Sequence, residues 1–312
     1  MARSAGIRRA GSGGGVTYGS TTVKRLRRTK AQLNDLDDAI VTAVVAEHPV
    51  TLRGVFYRVT SAGAVDKTEL GYRAVGRRLL ELRRSGRVPY NWITDGTRYV
   101  IQPSTYQDLD TMLADAAASY RRMLWRDQNV EVHIFTEKDA ISGVISPITE
   151  EWDVPLGILR GYVSESFAYL MAEAIWAARK PVYVYQLGDH DPSGVDAWRD
   201  FQRKVNAFLR EWQIERVGQS CGSPAVFERL AVTPDQIGEY NLPTRPTKQK
   251  DTRAAKFSGE SVEVDAIPAP VLRDLVEQAI VQHIDQDALS LHREVEQQER
   301  EGLARLREWW AA

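Results

Sequence analysis

Three carboxylates and one tyrosine are the side chains whose types and spacing could do chemistry. Glu137 directly follows the apolar run VEVHIFT (130–136), while Asp189 and Asp191 follow PVYVYQLG (181–188) in the turn GDHDPSG. Acidic oxygens of this kind suit a hard divalent cation, Mg²⁺ or Mn²⁺, whose shell is completed by water and phosphate. A lone DxD turn more often only caps a helix; the glutamate at the matching end of a second strand shifts the expectation to a metal site built from Glu137, Asp189 and Asp191. His190 has no second histidine at ligand spacing, so it is expected to support the site or to contact phosphate. Tyr57 stands in TLRGVFYRV, one helical turn after Arg53. A phenol is a weak nucleophile at neutral pH because its pKa is about 10. A guanidinium one turn away can stabilise the phenolate or charge developing on a phosphate. The plainer alternative for Tyr57 is an aromatic packed on a helix face.

The elements around these residues follow from periodicity. Asn34 is a candidate cap for a helix through Leu36, Ile40, Val41, Val44 and Val45, and His48-Pro49 should stop it. Thr51 opens a short helix ended by Gly63, and Thr68 opens a third that runs to about Arg84. In that third helix Leu70, Tyr72, Val75, Leu79 and Leu82 form one stripe, with Arg73, Arg77 and Arg84 on the opposite face. Three short helices followed by VPYNWITDGTRYVI, a candidate two-stranded wing, suggest a winged helix whose third helix faces DNA. A helix at about 106–126 leads to strand candidates 130–136, 155–161 and 181–188, separated by helices at 139–151 and 164–179. That alternation means a parallel sheet with helices on its faces. A helix from Ser193 to Trp212, a further strand in QIERVGQS, a proline-punctuated stretch and two amphipathic C-terminal helices complete the chain. The fold class is α/β. The divisions are a flexible basic arm (1–30), a winged-helix domain (31–104), a connecting helix (105–129), and a sheet domain with a helical extension (130–312).

Composition sets the outer bounds. The 312 residues are 43% hydrophobic and 27% charged, the profile of a folded domain pair. No apolar run is long enough for a membrane span, and the first residues never reach a signal-peptide core. The single cysteine, Cys221, reads as a small buried side chain with no disulfide partner, which points to a reducing, cytoplasmic setting. The formal net charge of −1 conceals an asymmetry. Residues 1–130 hold 21 Lys and Arg against 12 Asp and Glu, so the excess of acid lies entirely in the remainder. Residues 1–30 alone hold eight basic residues and no acidic ones. Such a half is expected to bind a polyanion in a salt-sensitive way through Arg73, Arg77 and Arg84, and Lys138 and His190 beyond it are expected to contact DNA as well. The basic run with Arg245, Lys248, Lys250, Arg253 and Lys256 either closes over DNA or is a connector.

TEKDA (136–140) followed by GDHDPSG (188–194) resembles the glutamate and DxD elements of a Toprim domain. TLRGVFYRV is similar to the segment around the active-site tyrosine of the topoisomerase VI A subunit and its meiotic double-strand-break relative. Arg53, Phe56 and Tyr57 fill that segment's arginine and aromatic-pair positions. The resemblance runs from about residue 33 to 280 and is greatest to stand-alone mini-A type proteins of phages and mobile elements. The segment RGYVSES departs from the glycine- and proline-rich pattern of the family. The resemblance implies a winged helix followed by a Rossmann-like Toprim sheet. It also implies a homodimer on double-stranded DNA, Tyr57 as the nucleophile forming a 5′-phosphotyrosine, and Mg²⁺ or Mn²⁺ on the three carboxylates. Glu137 is allowed a further role as general acid in resealing. An ATPase B-type subunit stays open as a partner, although nothing here resembles a nucleotide site for that role. Two other functions stay open: a Toprim nuclease using metal-activated water, with Tyr57 non-catalytic, and a DNA-binding module without catalysis.

Overall fold

The computed structural model describes residues 29–94, 103–217, 224–246, 257 and 259–311. Cys221, residues 1–28 of the expected arm, residues 95–101 of the expected wing, and Lys248, Lys250, Arg253 and Lys256 lie outside the described residues.

The N-terminal helices are α1 (Lys30–Glu47), α2 (Leu52–Ser61) and α3 (Glu69–Arg84). α1 begins earlier than Asn34, because Thr29 and Gln32 cap each other. The Thr29 hydroxyl accepts from the Gln32 N–H at 3.2 Å, and the Gln32 side-chain oxygen accepts from the Thr29 N–H at 2.9 Å. Lys30 is therefore the first residue of a helix rather than the end of an arm. α2 and α3 start where expected, with Thr51 and Thr68 as caps, and α1 stops at His48. Val75, Leu79 and Leu82 bury the inner face of α3, while Leu70 is 76% exposed and falls outside the expected stripe. Arg73, Arg77 and Arg84 are exposed, as the helical offsets required.

α4 (Leu109–Ser119) is shorter than the expected 106–126 helix. Beyond it the chain is claimed by tertiary partners: the Tyr120 hydroxyl donates to Glu299 at 2.7 Å, and the Arg122 N–H to Glu296 at 2.9 Å. Both glutamates belong to the C-terminal helix α10 (Gln286–Ala311).

The sheet comprises β1 (Glu131–Thr136), β2 (Leu156–Ile158), β3 (Val182–Leu187) and β4 (Ala225–Ala231) in the order β2-β1-β3-β4, with every pair parallel. α5 (Asp139–Glu151) and α6 (Glu165–Ala178) are the connections that periodicity indicated. β2 is cut short as Arg160 and Gly161 take positive φ. The expected strand QIERVGQS is absent over its described part, because Gln213–Val217 continue α7 (Pro192–Val217). Val205, Leu209 and Gln213 are buried at every fourth position, a helical period that extends past Trp212. β4, in AVFERLA, takes the edge position instead.

Alternating residues divide the sheet's two faces. Phe135, Val182 and Val184 pack with α6 and α7, where Phe201 lies at the centre. Val132, Ile134, Tyr185 and Leu187 pack on α5 and on α9 (Ala269–Val281), in a cluster continuous with Leu36, Val55 and Val75 of the N-terminal helices. Strand order reverses between β1 and β3, and residues just beyond their carboxyl ends share a crevice. A short helix α8 (Pro234–Glu239) follows β4. Among the described residues no helix is long and apolar enough to cross a membrane.

Phe201 is 1% exposed, with the Phe135 and Trp198 rings 5.3 and 5.5 Å away. Phe201→Ala should destabilise the protein by about 3–5 kcal/mol, read as a lower urea midpoint at unchanged slope.

Candidate active site

β1 and β3 run level from Glu131 beside Val182 to Thr136 beside Leu187, so Glu137 and the turn after Leu187 emerge side by side. The Glu137 carboxylate accepts from the Asp189 backbone N–H at 3.1 Å. Glycine is required around it. A Cβ on Gly188 would stand 2.9 Å from Glu137 Oε2, and one on Gly194 would stand 2.6 Å from the Asp189 carbonyl, 2.9 Å from Glu137 Oε2 and 3.5 Å from Asp191 Oδ1. Asp191 caps α7, as expected: its Oδ1 accepts from the Gly194 N–H and the Ser193 hydroxyl, each at 2.8 Å.

The Asp189 side chain points elsewhere. Its Oδ1 accepts from the Val264 N–H at 3.0 Å and lies 2.8 Å from the Lys138 ammonium. Glu137 and Asp191 therefore converge on the Gly194 cradle, whereas Asp189 is engaged by Lys138. Among the described residues no three His, Cys, Asp or Glu side chains are gathered in metal-ligand geometry. The donors nevertheless fit a hard cation in chemistry, since the oxygens meeting at the cradle are two carboxylates and a carbonyl. Burial, and then the Asp189 charge, push the Glu137 carboxyl above its ordinary range, and burial pushes Asp189 up as well.

Lys138 is closed in by acids: besides Asp189 it lies 3.0 Å from Asp265 and 4.0 Å from Glu263. Burial opposes its charge, but Asp265 and Asp189 outweigh it and raise its pKa. His190 pairs its backbone with Val262 in both directions, at 2.8 and 3.0 Å, and its ring lies 4.8 Å from that of Phe257. Burial, with help from Arg229, lowers its pKa.

Glu263 and Asp265 belong to a strap, residues 261–267, that runs from the DxD turn to α2. At one end Val262 pairs with His190. At the other, the Thr51 hydroxyl donates to Asp265 at 2.6 Å, Arg53 pairs with Glu263 at 3.1 Å, and Arg58 donates to the Ala266 carbonyl. Tyr57 projects from the same helix and is 4% exposed. Burial, and then Glu263, push its phenol up to about 12, against the opposing pull of Arg53 and Arg245. Arg53 lies 4.9 Å from the centre of the Tyr72 ring; burial lowers its pKa, but Glu263 leads a set of neighbours that raise it overall.

The structure thus brings Glu137, Asp189, Asp191, Lys138 and His190 to one crevice, with Arg53 and Tyr57 joined to it through the strap. Arg73, Arg77 and Arg84 stand apart on α3, where Arg73 pairs with Glu69 at 3.2 Å. Sequence reasoning missed Glu263, Asp265 and Arg229. The first two carried a signal, since SVEVDA alternates acidic and apolar residues and so sets two carboxylates on one side of an extended chain. Arg229 lies in the overlooked strand β4 and donates to the Gly188 carbonyl at 2.8 Å and to that of Asp189, placing a buried cation behind the carboxylates. Neither a family model nor a curated protein matches the chain.

Two outcomes follow from the electrostatics. A carboxyl whose folded pKa lies above its unfolded value costs stability at neutral pH, where it must ionise, and costs nothing once both states are protonated. Glu137→Gln should therefore raise the Tm of the metal-free protein at neutral pH. The gain should vanish as pH falls below about 4, near the ordinary carboxylate pKa, in melts recorded across that range. Thr51→Val removes both the α2 cap and the bond to Asp265, and should cost about 1–3 kcal/mol in urea unfolding.

Proposed function

We propose that the protein is a type IIB topoisomerase-like DNA transesterase, with a winged-helix N-terminal part and a Toprim-type sheet. The observation that carries this is the strap: it joins the helix bearing Arg53 and Tyr57 to the turn bearing Asp189 and Asp191, so a tyrosine and a carboxylate crevice belong to one hydrogen-bonded unit. The Tyr57 oxygen forms the bond to phosphorus while the P–O3′ bond breaks, and the phenol proton ends on the departing 3′ oxygen. The phosphodiester energy is retained in the tyrosyl linkage, and reversal reseals the strand. Arg53 stabilises charge on the phosphate, and Glu137, raised by burial, can act in resealing as the general acid that gives a proton to the departing Tyr57 oxygen and regains one from the attacking 3′ hydroxyl. A Mg²⁺ or Mn²⁺ would be held by Glu137 and Asp191 at the Gly194 cradle, joined by Asp189 on its release from Lys138, and would supply charge neutralisation for non-bridging phosphate oxygens. Lys138 and His190 flank the crevice within reach of a backbone phosphate, and Arg73, Arg77 and Arg84 present a separate basic face to double-stranded DNA. The working assembly is a homodimer.

A second reading rests on the burial of Tyr57 and its raised pKa: a Toprim nuclease in which water attacks and Tyr57 only packs. One experiment separates the two. Reactions on end-labelled duplex with Mg²⁺, stopped with detergent, should leave protein attached to 5′ ends. Tyr57→Phe should lose both adduct and cleavage while binding DNA normally. Cleavage by Tyr57→Phe at the parent rate, without adduct, would leave the nuclease.

Asp189→Ala and Asp191→Ala should abolish cleavage yet retain DNA affinity in anisotropy titrations. Neutralising Arg73, Arg77 and Arg84 should weaken binding to every sequence and lower the slope of log K against log salt by about 0.9 for each phosphate that is no longer neutralised.

A further inference from the structure

Three cations from three separate segments meet around Tyr57. Arg53 comes from α2, Lys67 from the turn before α3, and Arg245 from the segment that pairs with Ser261. The Lys67 ammonium lies 5.7 Å from the centre of the Tyr57 ring and donates to the Thr244 carbonyl at 2.9 Å. Both arginines pair with the Glu263 carboxylate, which lies 3.1 Å from Arg53 and 2.7 Å from Arg245. The acid is buried, with 6% of its side chain exposed, while Arg53 and Arg245 keep 40% and 45% of theirs in solvent. The arrangement is a buried anion paired with two partly exposed guanidinium groups beside a third cation.

We propose that Arg53, Lys67 and Arg245 form a receiving site for one backbone phosphodiester next to the Tyr57 hydroxyl, and that Glu263 is the positioning residue that sets the two arginines in place before DNA arrives. The proposal rests on the transesterase reading for its purpose but not for its chemistry, since three converging cations recognise a phosphate whatever attacks it. A second observation points to the same ligand. Burial, and then the Arg245 charge, depress the Lys67 pKa, and Glu263 and Glu260 offset this only in part. Like charges held together in this way are relieved by an incoming anion. Glu263 has two opposed effects. Its charge competes with phosphate for the guanidinium groups, and its geometry keeps them aimed.

The test uses the full-length protein and a fluorescent duplex of about 30 base pairs in a salt series, with Mg²⁺-dependent adduct yield at saturating duplex as a second readout. Lys67→Met and Arg245→Met keep the side-chain stems and change exposed positions. Each should weaken binding severalfold, and the double variant, which leaves only Arg53 and that paired with Glu263, should lower the salt slope by about 0.9. Glu263→Gln should bind duplex more tightly than the parent yet give at least tenfold less adduct at saturation, and Glu263→Asp should recover part of the yield. A merely structural role for Glu263 would lower binding and yield together. An unchanged salt slope in the double variant, or weaker duplex binding by Glu263→Gln, would overturn the site. A parent protein that never forms an adduct would overturn the transesterase reading instead, and the salt slopes would still decide the phosphate site.

Discussion

A buried ammonium among carboxylates organises the molecule. Lys138 sits where β1 ends and holds Asp189 of the β3 turn and Asp265 of the strap at 2.8 and 3.0 Å. Asp265 in turn accepts from Thr51, the cap of α2. The β3 turn and the strap, each more than a hundred residues beyond Thr51, are thereby fixed to the start of the tyrosine helix. A buried ion pair of this kind is a poor source of net stability, because desolvation consumes most of the Coulombic gain. Its consequence is geometric. Removing any one member would leave an uncompensated buried charge, so the members are constrained to one arrangement.

That constraint explains why the N-terminal helices and the sheet share a core. Apolar packing runs without a break from Leu36 and Val55 to Val276 and Ile280, and the polar network lies along the same junction. Hydrophobic burial supplies the driving force but is indifferent to small shifts between packed layers. The hydrogen bonds of Thr51, Arg53 and Arg58 to the strap supply direction. In the proposed transesterase a tyrosine would meet a phosphate near a separate carboxylate crevice and would need such direction, since misplacement by an ångström costs orders of magnitude in rate.

The same network sets the protonation pattern. Glu137 is pushed up by burial and then by the Asp189 charge, Asp189 is pushed up by burial, the phenol is pushed up by burial and Glu263, and Lys138 is held charged by its acidic neighbours. Arg229 lies behind the cradle acids, and Arg53 and Arg245 share the Glu263 carboxylate.

Much of this was legible in the chain, and the legible part was local. Thr51 and Thr68 announced α2 and α3 because capping is a matter of a few consecutive residues. Apolar runs ending in Glu137 and in GDHD announced two strands of one parallel sheet with acids at their carboxyl ends, because side-chain period and chain connectivity leave few alternatives. What failed was decided by distant partners. The helix expected over 106–126 stops at Ser119 because Glu296 and Glu299 take Tyr120 and Arg122. The strand expected in QIERVGQS is the end of α7, since burial at Val205, Leu209 and Gln213 continues a helical period. Glu263 and Asp265 alternate with valines in a way that hints at shared orientation, yet nothing local says that they meet Lys138, Arg53 and Thr51. The sequence by itself determined which residues could ionise, cap or ligate and on which elements they lie. Only the tertiary structure decided which of them face one another, because pairing between residues so far apart in the chain is chosen by the packing of whole layers, to which no short window of sequence has access.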